Sequence, residues 1–303
     1  MNASASSAGS DRRMIIEARI NEYAMRDDNR HVPWTPDEIA ETAARCREAG
    51  ASIVHFHARQ PDGAPEHSVA AYAEIIRKIR QRSDVLVHPT LGWFANDHDP
   101  AGRIACVTAL AQDAATRPDI APIDTGSVNL ESWDAQAMRF DHPERVYINR
   151  TETLQHYARE FVRVGIKPQL VTWDIGFTRR ACALMDQGLV QEPAYFLVNM
   201  TEGRCITGHP GTPEGLQAHL QFLPRHRRVL WSANVVGGSL LTLAEMAARL
   251  GGHVAPGIGD HAYAELGGPP NEEIVARVAR IAREAGRHIA TPTDAREMLG
   301  LAP

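Results

Sequence analysis

A chain of 303 residues is long enough for one large α/β domain or two ordinary ones. With 44% hydrophobic residues, 23% charged residues and a net charge of −5, it has the balance of a soluble globular protein and lacks the basic excess that marks a nucleic-acid partner. No apolar run approaches membrane-spanning length, and Cys46, Cys106, Cys182 and Cys205 are too scattered for a disulfide framework or a Cys-based zinc site, which points to a reduced, cytoplasmic protein.

The opening Met1 to Ser10 is small and polar and lacks the apolar stretch of a secretory signal. It reads as a disordered tail over residues 1–13, ahead of a single catalytic domain over 14–303. Short apolar runs then alternate with amphipathic stretches. The runs are Met14 to Ile20, Ala51 to His57, Val85 to Pro89, Ile120 to Ile123, Pro168 to Trp173, Tyr195 to Asn199, Arg228 to Ala233 and His253 to Pro256. The first helix is opened by Thr35-Pro36-Asp37-Glu38, an N-cap followed by proline and acids in the first turn, and runs through Ile39 to Ala49 with Gly50 as its stop. Thr212-Pro213-Glu214 repeats that pattern ahead of Gly215 to Leu223. Asn271-Glu272-Glu273 opens Ile274 to Ala285, stopped by Gly286. Eight βα units in this length fit an α/β fold of the (β/α)8 TIM-barrel type better than a doubly wound sheet with an appended domain.

In such a barrel, chemistry gathers where the strands end. Asn21 and Glu22 end the first run, His55 and His57 the second, and His88 with Thr90 the third. Asp124, Thr125 and Ser127 follow the fourth, Asp174 the fifth, and Asp260 with His261 the eighth. Strand side chains alternate, so His55 and His57 point the same way and can grip one metal ion. The same spacing also arises without a ligand. Closure of the barrel sets the eighth strand beside the first, so Asp260 and Glu22 approach the histidine pair from the other side. Together these are the parts of a Lewis-acid site.

Plainer roles compete. Glu22 has Arg19 and Arg26 as possible ion-pair partners, and Thr90, Thr125 and Ser127 are natural turn residues. Gly257-Ile258-Gly259 brings the backbone close to a ligand or simply makes a turn. Gly208-His209-Pro210-Gly211-Thr212 precedes a helix and has the form of a phosphate cradle, a weak signal by itself. His98, His142, His156 and His226 read as surface or core residues.

His31-Val32-Pro33-Trp34-Thr35-Pro36-Asp37-Glu38-Ile39 and Ala49-Gly50-Ala51-Ser52-Ile53-Val54-His55-Phe56-His57-Ala58-Arg59 resemble the β-keto acid cleavage enzymes. The resemblance continues through Thr90-Leu91-Gly92, Thr125-Gly126-Ser127-Val128-Asn129, Gly251-Gly252-His253-Val254 and Ala290 to Leu299, and so spans Met14 to the C-terminus. It implies a zinc-dependent (β/α)8 barrel, often tetrameric, that reacts a β-keto acid with acetyl-CoA to give acetoacetate and a new CoA thioester. By the same resemblance His55 and His57 are zinc ligands. Glu22 matches an acidic residue after the first strand, Thr90, Thr125 and Ser127 match hydroxyls near the keto acid, and Asp260 matches the general base.

Two positions depart from the family's pattern. An arginine five residues before the base and a zinc-binding glutamate immediately before it are replaced by Ala255 and Gly259. A third zinc ligand must then come from Asp260, His261, Glu22 or solvent. Two other readings of the same residues are a different metal-dependent barrel lyase or hydrolase and a non-catalytic binder of small acids or CoA.

Overall fold

Each expected run contributes a strand to the barrel in the computed structural model, which describes residues 12–91 and 99–302. The strands are β1 (Glu17–Arg19), β2 (Ile53–Phe56), β3 (Leu86–Pro89), β4 (Ile120–Asp124), β5 (Lys167–Thr172), β6 (Ala194–Thr201), β7 (Val229–Val236) and β8 (His253–Val254). They pair in parallel as β1-β2-β3 and as β4-β5-β6-β7-β8. Two seams join the halves. The Asp119 amide donates to the Val87 carbonyl at 3.0 Å, and a parallel bridge links Ile16 to Val254. The result is a closed (β/α)8 barrel.

The first run is not one strand. Arg13–Met14 pairs with His288–Ile289, after which the chain shifts partner and Glu17–Arg19 pairs with β2. Arg13 therefore belongs to the sheet and not to the expected tail; residues 1–11 of that tail, with Gly92 and His98, lie outside the described residues.

The outer helices are α1 (Pro36–Ala49), α2 (Val69–Arg82), α3 (Pro100–Leu110), α4 (Thr151–Val164), α5 (Ile175–Asp186), α6 (Pro213–Phe222), α7 (Leu241–Arg249), α8 (Asn271–Glu284) and α9 (Pro292–Leu299). At the start of α1 the Thr35 hydroxyl accepts the Glu38 N–H at 3.2 Å, and the Glu38 carboxylate accepts the Thr35 N–H at 2.9 Å. This reciprocal cap satisfies two backbone donors that the helix itself leaves open. One face of α1 buries Ile39, Ala40, Ala43 and Cys46, and α8 buries Ile274, Val275, Val278 and Ala279. Both faces follow the helical period that core burial requires.

Inside the barrel the inward residues form layers. At the N-terminal end Ile15, Ile53, Leu86 and Ile120 pack against Ala295 and Leu299 of α9, which closes that end. The next layer is polar: Glu17 receives the Gln169 amide at 2.6 Å and the Tyr195 hydroxyl at 3.0 Å, and its carboxylate lies 3.3 Å from His88. Between β4 and α4 two short hairpins, Val128–Asn129 with Val146–Tyr147 and Ser132–Asp134 with Arg139–Asp141, had no counterpart among the expected elements. They rise at the C-terminal mouth. Among the described residues no helix is long and apolar enough to cross a membrane.

Candidate active site

The mouth of the barrel encloses a cavity of about 650 Å³. Register brings the polar residues to its floor. Arg19 stands opposite His55 across β1 and β2, and His55 stands opposite His88 across β2 and β3. Alternation then puts His57 on the same side as His55, and both are buried.

Glu22 completes the arrangement. One of its carboxylate oxygens, Oε2, lies 2.8 Å from His57 Nε2, 3.3 Å from His55 Nε2 and 3.3 Å from the Arg19 guanidinium. Its other oxygen, Oε1, is buried without a hydrogen-bond partner. One ligand atom from each of Glu22, His55 and His57 lies within 4.8 Å of the others. Two nitrogens, one carboxylate and an unsatisfied buried oxygen fit the donor set of zinc, which accepts three protein ligands and leaves a position for water or substrate. Arg26, the other partner considered for Glu22, instead pairs with Glu38 at 2.7 Å.

A second set, Glu17, His55 and His88, meets the same distance condition deeper in the barrel. Its carboxylate is already engaged by Gln169, Tyr195 and Arg19, whereas Glu22, His55 and His57 line the cavity. The outer set is therefore the candidate metal centre.

The backbone at Glu22 is held in place deliberately. Its φ is 28°, in the left-handed region that non-glycine residues rarely adopt. Arg59 stabilises this turn by donating to the carbonyls of Glu22 at 2.7 Å, Asn21 at 3.2 Å and Ala24 at 2.9 Å. Asn21 ties the same turn to β2, accepting the His57 N–H at 2.9 Å and donating to the His57 carbonyl at 2.9 Å.

Electrostatics follow from burial and neighbours. Burial alone would raise the Glu22 carboxyl, but Arg19 with the two histidines holds it well below the usual range. Burial lowers His55 to about 3 against the pull of Glu22, which favours the neutral ring that a metal ligand requires. Asp260 accepts the Arg19 Nε–H at 2.7 Å. Burial pushes its carboxyl up to about 7 against the pull of Arg19, with the Glu22 charge adding to the rise.

Gly257 and Gly259 have a definite task. A Cβ at Gly257 would sit 1.7 Å from the Arg19 carbonyl oxygen, and one at Gly259 would sit 2.7 Å from Glu22 Cγ. The glycines bring the segment after β8 against the turn after β1, and Ile258 and Gly259 of that segment also line the cavity. Glu22 occupies the space that a side chain at position 259 would need. Ala255 packs with Val171 and Leu197, and the arginine that lines the cavity is Arg19.

The other expected residues divide. Thr90 lines the cavity, as do Asp260, His261 and Asp124. Thr125 and Ser127 are not among the lining residues. The Thr125 hydroxyl is buried between the carbonyls of Val171 at 3.1 Å and Phe177 at 3.0 Å, and the exposed Ser127 accepts the Asn149 N–H at 2.8 Å. Both hydroxyls fasten the loop after β4, the turn duty that was the plainer reading of these two residues. The phosphate-cradle reading of residues 208–212 also fails: the amides of Gly208, His209 and Gly211 are spent on Thr201 and Trp173. Arg19, Arg59, Tyr147 and Trp173 were missed as site residues. For Arg19 a signal existed, since Glu17 and Arg19 are charges on one face of an otherwise apolar run.

Residues 13–301 match the sequence profile of the beta-keto acid cleavage enzymes. A 3-keto-5-aminohexanoate cleavage enzyme of Fusobacterium nucleatum is 28% identical over 299 residues, covering 95% of this chain and 98% of that protein. A 3-oxoadipate:acetyl-CoA acetyltransferase of Cupriavidus necator is 28% identical over 291 residues, covering 95% and 94%. Among solved structures, apo ObcA superposes with a TM-score of 0.68 at 17% identity, covering 90% of this chain and 66% of that longer one, a likeness of fold.

Proposed function

The chain belongs to the beta-keto acid cleavage enzyme family, and from that premise we propose that it reacts a β-keto acid with acetyl-CoA, releasing acetoacetate and the CoA thioester of the remaining acyl group. In net terms the carboxymethyl unit moves from the keto acid's acyl group to the acetyl group, while the CoA sulfur moves the other way. One observation carries the reading: Glu22, His55 and His57 converge on the cavity floor with Asp260 held beside them by Arg19.

Glu22, His55 and His57 are the residues that would hold zinc. A bound zinc ion supplies Lewis acidity, which makes the carbon between a ketone and a carboxylate easier to deprotonate. Asp260 is assigned as the base that takes this proton, with Arg19 orienting its carboxylate toward the cavity. Thr90, at the rim of β3, is assigned a hydrogen bond to an oxygen of the keto acid. Arg59 acts indirectly, holding the turn that presents Glu22. The four cysteines are free, in keeping with a cytoplasmic enzyme, and the assembly is read as a homotetramer, which light scattering checks.

The test is a panel of β-keto acids incubated with acetyl-CoA and purified enzyme. Acetoacetate and a matching new thioester, identified by mass spectrometry, are expected from at least one acid and are expected to vanish in His55→Ala. No acetoacetate from any acid of the panel would overturn the assignment.

A further inference from the structure

The wall of the cavity made by β6 and β7 carries a polar pair to which the roles assigned above give no task. Asn199, near the C-terminal end of β6, stands opposite Asn234 of β7 in register, and both side chains are buried. Alternation along β6 turns Tyr195, Leu197 and Asn199 to the barrel interior, and of these three Asn199 lines the cavity. Its Oδ1 accepts the Asn234 amide N–H at 2.7 Å. Asn234 also donates to the Asp260 carboxylate. An ionised carboxylate accepts and cannot donate, so it fixes which end of the Asn234 amide faces Asp260 and Asn199. Asn199 must then offer its oxygen to Asn234 and turn its NH2 group the other way. Among the described residues that NH2 group has no acceptor, and it reaches the cavity surface.

Other donors of the lining are engaged. Arg19 serves Glu22 and Asp260, Asn29 serves the carbonyls of Ala262 and Pro269, and the Trp173 indole and Tyr147 hydroxyl serve Asp124. Acyl exchange makes one further demand. Once Asp260 has taken the proton, the keto acid's carbanion bonds the thioester carbon, and the C=O electron pair moves onto that oxygen. Its return breaks the C–S bond and releases the CoA thiolate. The oxyanion forms in a cavity lined by the carboxyl groups of Glu22, Asp28, Asp124 and Asp260, so it needs an N–H donor already held in place to offset their repulsion. One amide, that of Asn234, ties such a donor and the base to the same frame.

We propose that the Asn199 side-chain amide donates to the carbonyl oxygen of acetyl-CoA as it becomes the oxyanion, which makes Asn199 a catalytic residue of the acyl-transfer step. This rests on the acyl-exchange reading and adds a residue to it. Two measurements separate the steps. The first is acetoacetate formation at saturating acetyl-CoA; the second is deuterium uptake at the carbon between ketone and carboxylate in D2O without acetyl-CoA, read by NMR against the enzyme-free background. Asn199→Leu, close in size and without the donor, is expected to lower kcat about 100-fold or more while deuterium uptake stays within about 3-fold of wild type. Asn199→Ala, the variant to use if leucine impairs folding, is expected to show the same split. An unchanged kcat would overturn the proposal while leaving acyl exchange standing. Deuterium uptake that falls in step with kcat would overturn it as well, because Asn199 would then be acting on Asp260 through Asn234. A wild type that forms no acetoacetate from any acid overturns the acyl-exchange reading, and this assignment with it.

Discussion

Glu22 does work that two histidines cannot do alone. Its ordinary part in a barrel would be a surface ion pair, yet the left-handed turn swings its carboxylate inward onto both rings, a conformation costing about 1–3 kcal/mol that the Arg59 hydrogen bonds offset. Glu22→Gln keeps the shape and removes the charge. Zinc affinity should fall on the order of 100-fold or more, read by competition with a chelator of known strength. Full metal retention in this variant would move the centre to the inner set of Glu17, His55 and His88. The histidine pair was legible because strand alternation is a local rule. The third ligand was open among Asp260, His261, Glu22 and solvent, because a turn's handedness depends on what clamps it, and Arg59 lies far along the chain from that turn.

Among the elements, the contact between the segment after β8 and the turn after β1 matters most to the site. The Gly259 amide donates to the Arg19 carbonyl at 3.1 Å, and Gly257 leaves no room for a methyl group. Gly257→Ala should therefore lower stability by roughly 3 kcal/mol and disturb the Arg19–Asp260 pair. Chemical denaturation measures the first effect and metal content the second; a variant as stable and as metal-loaded as the wild type would refute the packing described here. Helix starts were readable from Thr35 and Thr212 because caps are chemistry between neighbours, whereas Asn271 opens its helix without capping it and spends its side-chain amide on Ile258 and Ile20. The hairpins after β4 were not, since strands of two or three residues leave almost no periodic trace.

On the scale of the whole molecule, the barrel interior keeps a charge where an apolar layer would be expected. Burial alone would raise the Glu17 carboxyl, but His88 and Arg19 outweigh it and bring it down to about 2. A carboxyl lowered on folding stabilises the fold above its unfolded value of about 4.5, and that contribution disappears as pH falls toward 2. The wild type should lose roughly 3 kcal/mol across this window, and Glu17→Gln should flatten that part of the curve. Urea unfolding at stepped pH values checks it. Identical acid slopes for the two proteins would show that the carboxylate is not held by its neighbours.

The order of strands and helices, the alternation that pairs His55 with His57, and the helix caps at Thr35 and Thr212 were all decided locally, so the sequence by itself determined the barrel and half of the candidate metal centre. Tertiary structure decided the rest. Glu22 fills the space beside Gly259 only because closure lays the eighth strand against the first. Asp124 gains its aromatic setting only because a hairpin brings Tyr147 to a strand end that Trp173 also reaches. Contacts between distant segments leave no periodic or spacing signal in one chain, because the energy that selects them is realised only when the barrel shuts.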